Sequence, residues 1–124
     1  MSAKTLTEHA HDLATGRTSA RALVEEALAA IADPAREGAR AFISLDAEGA
    51  RATADLIDGQ RKRGRAASPF AGIPFSVKDL FDLAGEVTSS GSRFFAGHRA
   101  SVTSEVVARY ERAGLVIFGK TNTP

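Results

Sequence analysis

Cysteine is missing from all 124 residues, and with it go disulfide staples, thiolate nucleophiles and cysteine-rich zinc sites. Charge of one sign is missing too: sixteen lysines and arginines stand against fifteen aspartates and glutamates, a formal net charge of +1. That balance advertises no nucleic acid or other polyanionic partner. No apolar run approaches the ~20 residues of a membrane span, and the stretch from Met1 to His11 lacks the apolar core of a signal peptide. A cytoplasmic address is therefore the expectation. Histidine is scarce. His9 and His11 are two residues apart, on different helix faces rather than in the i, i+4 arrangement of a helical zinc site, and with His98 they read as surface residues. No metal and no organic cofactor is expected, and neither repeats nor low-complexity linkers occur.

What is present is ordinary for a globular protein: 44% hydrophobic and 25% charged residues, on a chain long enough for one domain with a core. A short helix is predicted from about Leu6 to Ala14, closed by Gly16. Thr18 or Ser19 caps a second helix in which Leu23, Val24, Ala27, Leu28 and Ile31 form one apolar stripe, ended by Asp33-Pro34. Ala41 to Leu45 (AFISL) fits either an edge strand or a turn of helix. Asp46 then caps a long helix to about Arg63, with Ala47, Ala50, Ala54 and Ile57 on its buried side. The basic cluster Arg61, Lys62, Arg63 and Arg65 reads as a solvated helix end favoured by the backbone dipole, in preference to a phosphate site.

After Ser68-Pro69 the periodicity becomes two: Ile73, Phe75 and Val77 point one way, Ser76 and Lys78 the other, which makes a strand. Gly85 to Gly97 reads as an irregular loop. A helix from about Ser104 to Ala113 is predicted next, capped by Thr103, with Val106, Tyr110 and Ala113 inward and Gly114 stopping it. Leu115 to Phe118 then reads as a strand buried on both faces. Two strands joined through a helix imply a right-handed parallel crossover. Two parallel strands do not make a stable sheet alone, and the chain ends at Thr123-Pro124 directly after the second, so the expectation is a fragment of a longer protein.

Two runs carry the chemistry. PFAGIPFSVKDLFDLAGEVTSSGS, Pro69 to Ser92, and SEVVARYERAGLVIFGKTNTP, Ser104 to Pro124, resemble consecutive blocks of the amidase-signature family, and AFISLDAEGARATAD, Ala41 to Asp55, resembles that family's helical lead-in. The resemblance implies an α/β fold: N-terminal helices and the first parallel strands of a mixed sheet covered by helices. Residues 1–124 are then the N-terminal portion of one such domain, with 1–66 a helical lead-in and 67–124 the start of the α/β core. It further implies hydrolysis of C–N amide bonds, or transfer of the ammonia released, by a serine, a second serine held through a cis peptide bond, and a lysine. That lysine matches Lys78. An amine at the end of a buried strand is open to desolvation, which favours the neutral, proton-accepting form. The resemblance assigns Lys78 the general-base role, drawing a proton from the nucleophile through the second serine. It places both serines, and the oxyanion site, beyond Pro124. The chain alone is then expected to be inactive. A small-molecule amide is the implied substrate, and either a homodimer or amidotransferase partner subunits are the implied assembly.

Several residues imitate the missing parts. Ser89, Ser90 and Ser92 lie in SSGS, but match the loop after the lysine strand and read as loop formers. Ser76 shares the strand face of Lys78, so a local serine–lysine dyad is conceivable geometrically. Gly114 to Thr121, GLVIFGKT, satisfies the P-loop pattern GxxxxGK[ST]. Its four middle residues belong in a strand rather than a phosphate-wrapping loop, and no helix follows, so Lys120 reads as structural. The rivals to an amidase are accordingly a nucleotide-binding module at Gly114–Thr121 and a noncatalytic interaction fragment.

Overall fold

The computed structural model describes residues 3–123; Pro124, the last residue of the GKTNTP run, lies outside them. Helix α1 spans Leu6–Thr15, α2 Ala20–Ala32, α3 Gly38–Ala41, α4 Ala47–Lys62 and α5 Glu105–Arg112, and the strands are β1 Phe42–Leu45, β2 Pro74–Lys78 and β3 Val116–Thr121. The helix ends follow from side chains that satisfy otherwise unpaired amides. Thr5 and Glu8 close a reciprocal capping box on α1, and Gly16 ends that helix at φ 75°. Ser19, rather than Thr18, caps α2. A second cap comes from far along the chain: the Asp58 carboxylate on α4 accepts from the amides of Ala20 (2.8 Å) and Arg21 (3.0 Å). Asp46 caps α4 through the Gly49 amide.

AFISL is the strand of its two readings: Phe42–Leu45 form β1, and only Ala41 belongs to the α3 turn that precedes it. β1 pairs antiparallel with β3, and β2 pairs parallel with β3, so the order is β1-β3-β2 and the sheet is mixed. This arrangement answers the difficulty of two parallel strands alone, because the helical lead-in itself supplies the third. Gly119 permits the contact: a Cβ there would stand 2.5 Å from the Ser44 carbonyl oxygen.

On one sheet face Val116 and Phe118 pack with Val24 and Leu28 of α2 and Ala50, Ala54 and Ile57 of α4. The alanines of α4 let the helices approach closely, and full burial of a side chain such as Val24 contributes about 1.5–3 kcal/mol. On the other face Phe75, Val77 and Ile117 pack with Leu83 and Val107. Ile73 departs from its expected companions and joins Leu13 and Leu23 beside α1 and α2.

Four expectations need correction. α5 buries Val107 and exposes Val106, while Tyr110, although half exposed, lays its ring against Phe75 of β2 with centroids 5.4 Å apart; Thr103 does not cap it, because its hydroxyl accepts from the Ala84 amide, and the helix begins after Ser104. β3 runs three residues further than Phe118, through Gly119 and Lys120 to Thr121. Arg61 is not a solvated helix end: its guanidinium donates to the carbonyls of Pro69 and Ala71 and ties the end of α4 to the approach to β2.

Candidate active site

The sequence of β2 explains where Lys78 lies. Pro74 begins the strand, where its missing N–H is tolerated, and Phe75 and Val77 face inward toward α5. Alternation then sends Ser76 and Lys78 to the opposite face. That face is covered by α2 and α4 over β3, but Ser76 and Lys78 are exposed. The burial expected around the Lys78 amine is therefore not supplied by residues 3–123. The strand ends at Lys78 because its carbonyl accepts from the amides of Leu80 (2.7 Å) and Phe81 (3.1 Å), turning the chain away.

Asp79, the next residue, takes the inward phase of Val77 and is only 1% exposed. Its partner is Lys120 of β3, also 1% exposed, with Nζ 3.2 Å from the carboxylate. Lys120 reaches this face through a bulge in β3: Phe75 pairs with Ile117 and Ser76 with Gly119, so Phe118 is the extra residue. Lys120 Nζ also donates to the Val87 carbonyl (3.0 Å) and the Thr88 hydroxyl (3.1 Å). The Asp79 carboxylate accepts from the Ser89 amide (3.2 Å) and the Ser89 hydroxyl. Burial pushes the Asp79 carboxyl up, but the hydrogen bonds from Ser89 and Lys120, with the attraction of the Lys120 charge, outweigh it and hold the group below the usual carboxylate range.

The decoy residues acquire definite roles in this network. The Ser89 hydroxyl is committed to Asp79, the Ser92 hydroxyl accepts from the Phe94 amide, and Ser90 adopts φ 52° with its amide on the Asp79 carbonyl. These are loop-forming contacts. Gly114–Thr121 is not a phosphate loop, since Val116–Thr121 is the central strand and Lys120 is buried on Asp79. His11 and His98 are exposed, His9 is half-buried, and no group of three or more histidine or carboxylate residues able to hold a metal occurs among the described residues. A groove of about 340 Å³ between α1, α2 and the start of β2 is lined by Leu6, His9, Leu23, Ile73 and Pro74, at the opposite end of the strand from Lys78. No helix among the described residues is long and apolar enough to cross a membrane.

Sequence reasoning reached Lys78 and passed over Asp79 and the tie to Lys120. The signal was present, because Asp79 continues the inward phase of Phe75 and Val77 and should have stood out as a charge at an apolar position.

This is an α/β scaffold that presents a lysine at the carboxyl end of a strand, followed at once by the carboxylate of a buried ion pair. A family model described as Amidase matches residues 22–124. The chain is 44% identical over 112 residues to AtzE of Pseudomonas sp. (strain ADP), a 1-carboxybiuret hydrolase subunit, covering 89% of this chain and 24% of that protein. It is 41% identical over 110 residues to a glutamyl-tRNA(Gln) amidotransferase subunit of Chloroflexus aggregans, covering 89% of this chain and 22% of that one. Native peptide amidase from Stenotrophomonas maltophilia superposes with a TM-score of 0.84 at 30% identity, over 96% of this chain and 24% of the other. The chain belongs to the amidase signature family. It spans about a quarter of the length of these relatives.

Proposed function

We propose that the protein cleaves C–N amide bonds by acyl transfer to a serine, and that Lys78 is the general base of that reaction. The observation that carries the reading is the placement of Lys78: the last residue of β2, its side chain exposed, with its carbonyl accepting from the Leu80 and Phe81 amides and the next amide, that of Asp79, donating to the Thr121 carbonyl. A general base must come within hydrogen-bond reach of the proton it takes, and a strand end delivers an amine to a fixed point. None of Ser76, Ser89, Ser90 and Ser92 is the nucleophile in this reading; the nucleophile and the second serine lie outside these 124 residues. The segment carrying them would also cover Lys78. Residues 1–124 are then the N-terminal portion of a single domain, and alone they are inactive, since groups that act as a unit lose most of their effect when separated.

The substrate is a small-molecule amide, and two of these relatives are named as subunits of larger enzymes, which supports an assembly with partner subunits. The test uses the protein expressed from its intact reading frame. Propionamide, 4-nitroacetanilide and glutamine are offered separately and release of ammonia or nitroaniline is followed. At least one should be turned over, and Lys78→Met should lower kcat by about 10²–10⁴-fold, the usual worth of a general base. Undiminished turnover by Lys78→Met removes the assignment.

A further inference from the structure

Resting on that reading, we propose that Asp79, Lys120 and Ser89 form a positioning device for Lys78, one that sets where its amine stands without touching substrate.

The pair is not explained by stability. Two ions at 1% exposure each have given up nearly all their water, and exchange of such a pair for apolar residues of similar volume is often neutral or stabilising. Both positions lie where apolar residues would be expected: Asp79 follows Val77 in phase, and Lys120 lies in the central strand. The charges do supply direction. A carboxylate takes several donors at once, and an ammonium donates three times.

The connections define what is fixed. The Asp79 amide donates to the Thr121 carbonyl (3.0 Å), its carbonyl accepts from the Ser90 amide (3.1 Å), and its carboxylate holds Ser89 and Lys120. Lys120 then reaches Val87 and Thr88. One residue beyond Lys78, the backbone is thus bound to β3 and to the 87–90 loop together. On the Lys78 carbonyl itself, Leu80 and Phe81 close the turn. What remains free is the Lys78 side chain, which projects from the opposite face to all of these bonds. A misplacement of about 1 Å originating away from the chemistry is enough to lower a rate about 10²-fold, so a brace of this kind acts on turnover and not on substrate affinity.

The experiment compares kcat and KM in the protein from the intact reading frame, with whichever of the three probe amides it turns over. Asp79→Ala/Lys120→Met removes both charges together and so leaves no orphaned buried ion. Ser89→Ala removes one hydrogen bond at a half-buried position, and decides the matter if the double variant does not fold. Circular dichroism and thermal melts establish that each variant is folded at the assay temperature. The expected result is a kcat about 100-fold lower in the double variant and roughly tenfold lower in Ser89→Ala, the worth of one charge-assisted hydrogen bond, with KM within about twofold of wild type. A folded variant with wild-type kcat, or with KM raised and kcat kept, overturns the positioning role while Lys78→Met still tests the base. If Lys78→Met retains full turnover, the base assignment falls and the positioning role falls with it.

Discussion

Gly72 lies where the approach to β2 crosses between α2 and α4, at φ 102°, a backbone region that L side chains rarely enter. A Cβ placed there would stand 2.8 Å from the Ala20 Cβ and 3.6 Å from the Ile57 Cγ2, and both neighbours are buried. Gly72→Ala therefore combines two penalties: about 1–3 kcal/mol for the backbone conformation and about 1–3 kcal/mol for overpacking. Their sum, about 2–6 kcal/mol, is a large part of the ~5–15 kcal/mol that stabilises a typical domain. Gly64 provides the control, since it has φ 69° and no atom within 4 Å of a hypothetical Cβ. Gly64→Ala incurs the backbone penalty alone, about 1–2 kcal/mol. Urea unfolding followed by far-UV circular dichroism measures both, and the excess for Gly72→Ala isolates the packing contribution. Equal midpoints for the two variants, or a milder effect at Gly72, would refute the close packing of Gly72 on Ala20.

Two further outcomes follow from caps and charges. Asp58→Ala deprives the Ala20 and Arg21 amides of their common acceptor; stability should fall by about 1–3 kcal/mol, with faster hydrogen exchange at those two amides, and unchanged exchange there would contradict the long-range cap. The Asp79 carboxyl lies below its ordinary range in the folded protein, so on acidification the unfolded chain binds the proton first. Its contribution to stability is then fully present above the ordinary aspartate value of ~4, declines as pH falls below that value, and is lost below the folded one. Wild type should therefore lose stability relative to Asp79→Ala/Lys120→Met across that acid window, and a difference between the two that is independent of pH between about 6 and 2 would count against the pair.

The legible parts of the fold were those whose signals are local. Ser19, Asp46 and Gly16 mark helix ends within a few residues, and Leu23, Val24 and Leu28 form a stripe that any partner would bury. α3 escaped notice because four residues carry no periodicity. Thr103, a good cap by residue type, does not cap α5 because its hydroxyl is held by the Ala84 amide of a distant segment. β3 was drawn too short for a related reason: Gly119 and Lys120 look like a break, and only the close passage of β1 and the buried carboxylate of Asp79 make them strand. At the site, period two placed Lys78 on a face by itself. The burial expected around it is not met by the described residues, and the buried lysine is Lys120 instead.

The central claim is that Lys78 activates a serine lying outside the 124 residues. Treating the protein from its intact reading frame with a fluorophosphonate, which phosphonylates an activated serine hydroxyl, and mapping the adduct by mass spectrometry tests it directly. The account predicts an adduct on a serine other than Ser76, Ser89, Ser90 and Ser92, formed about 10²–10⁴-fold more slowly in Lys78→Met. An adduct on one of those four serines, or a labelling rate indifferent to residue 78, would contradict it.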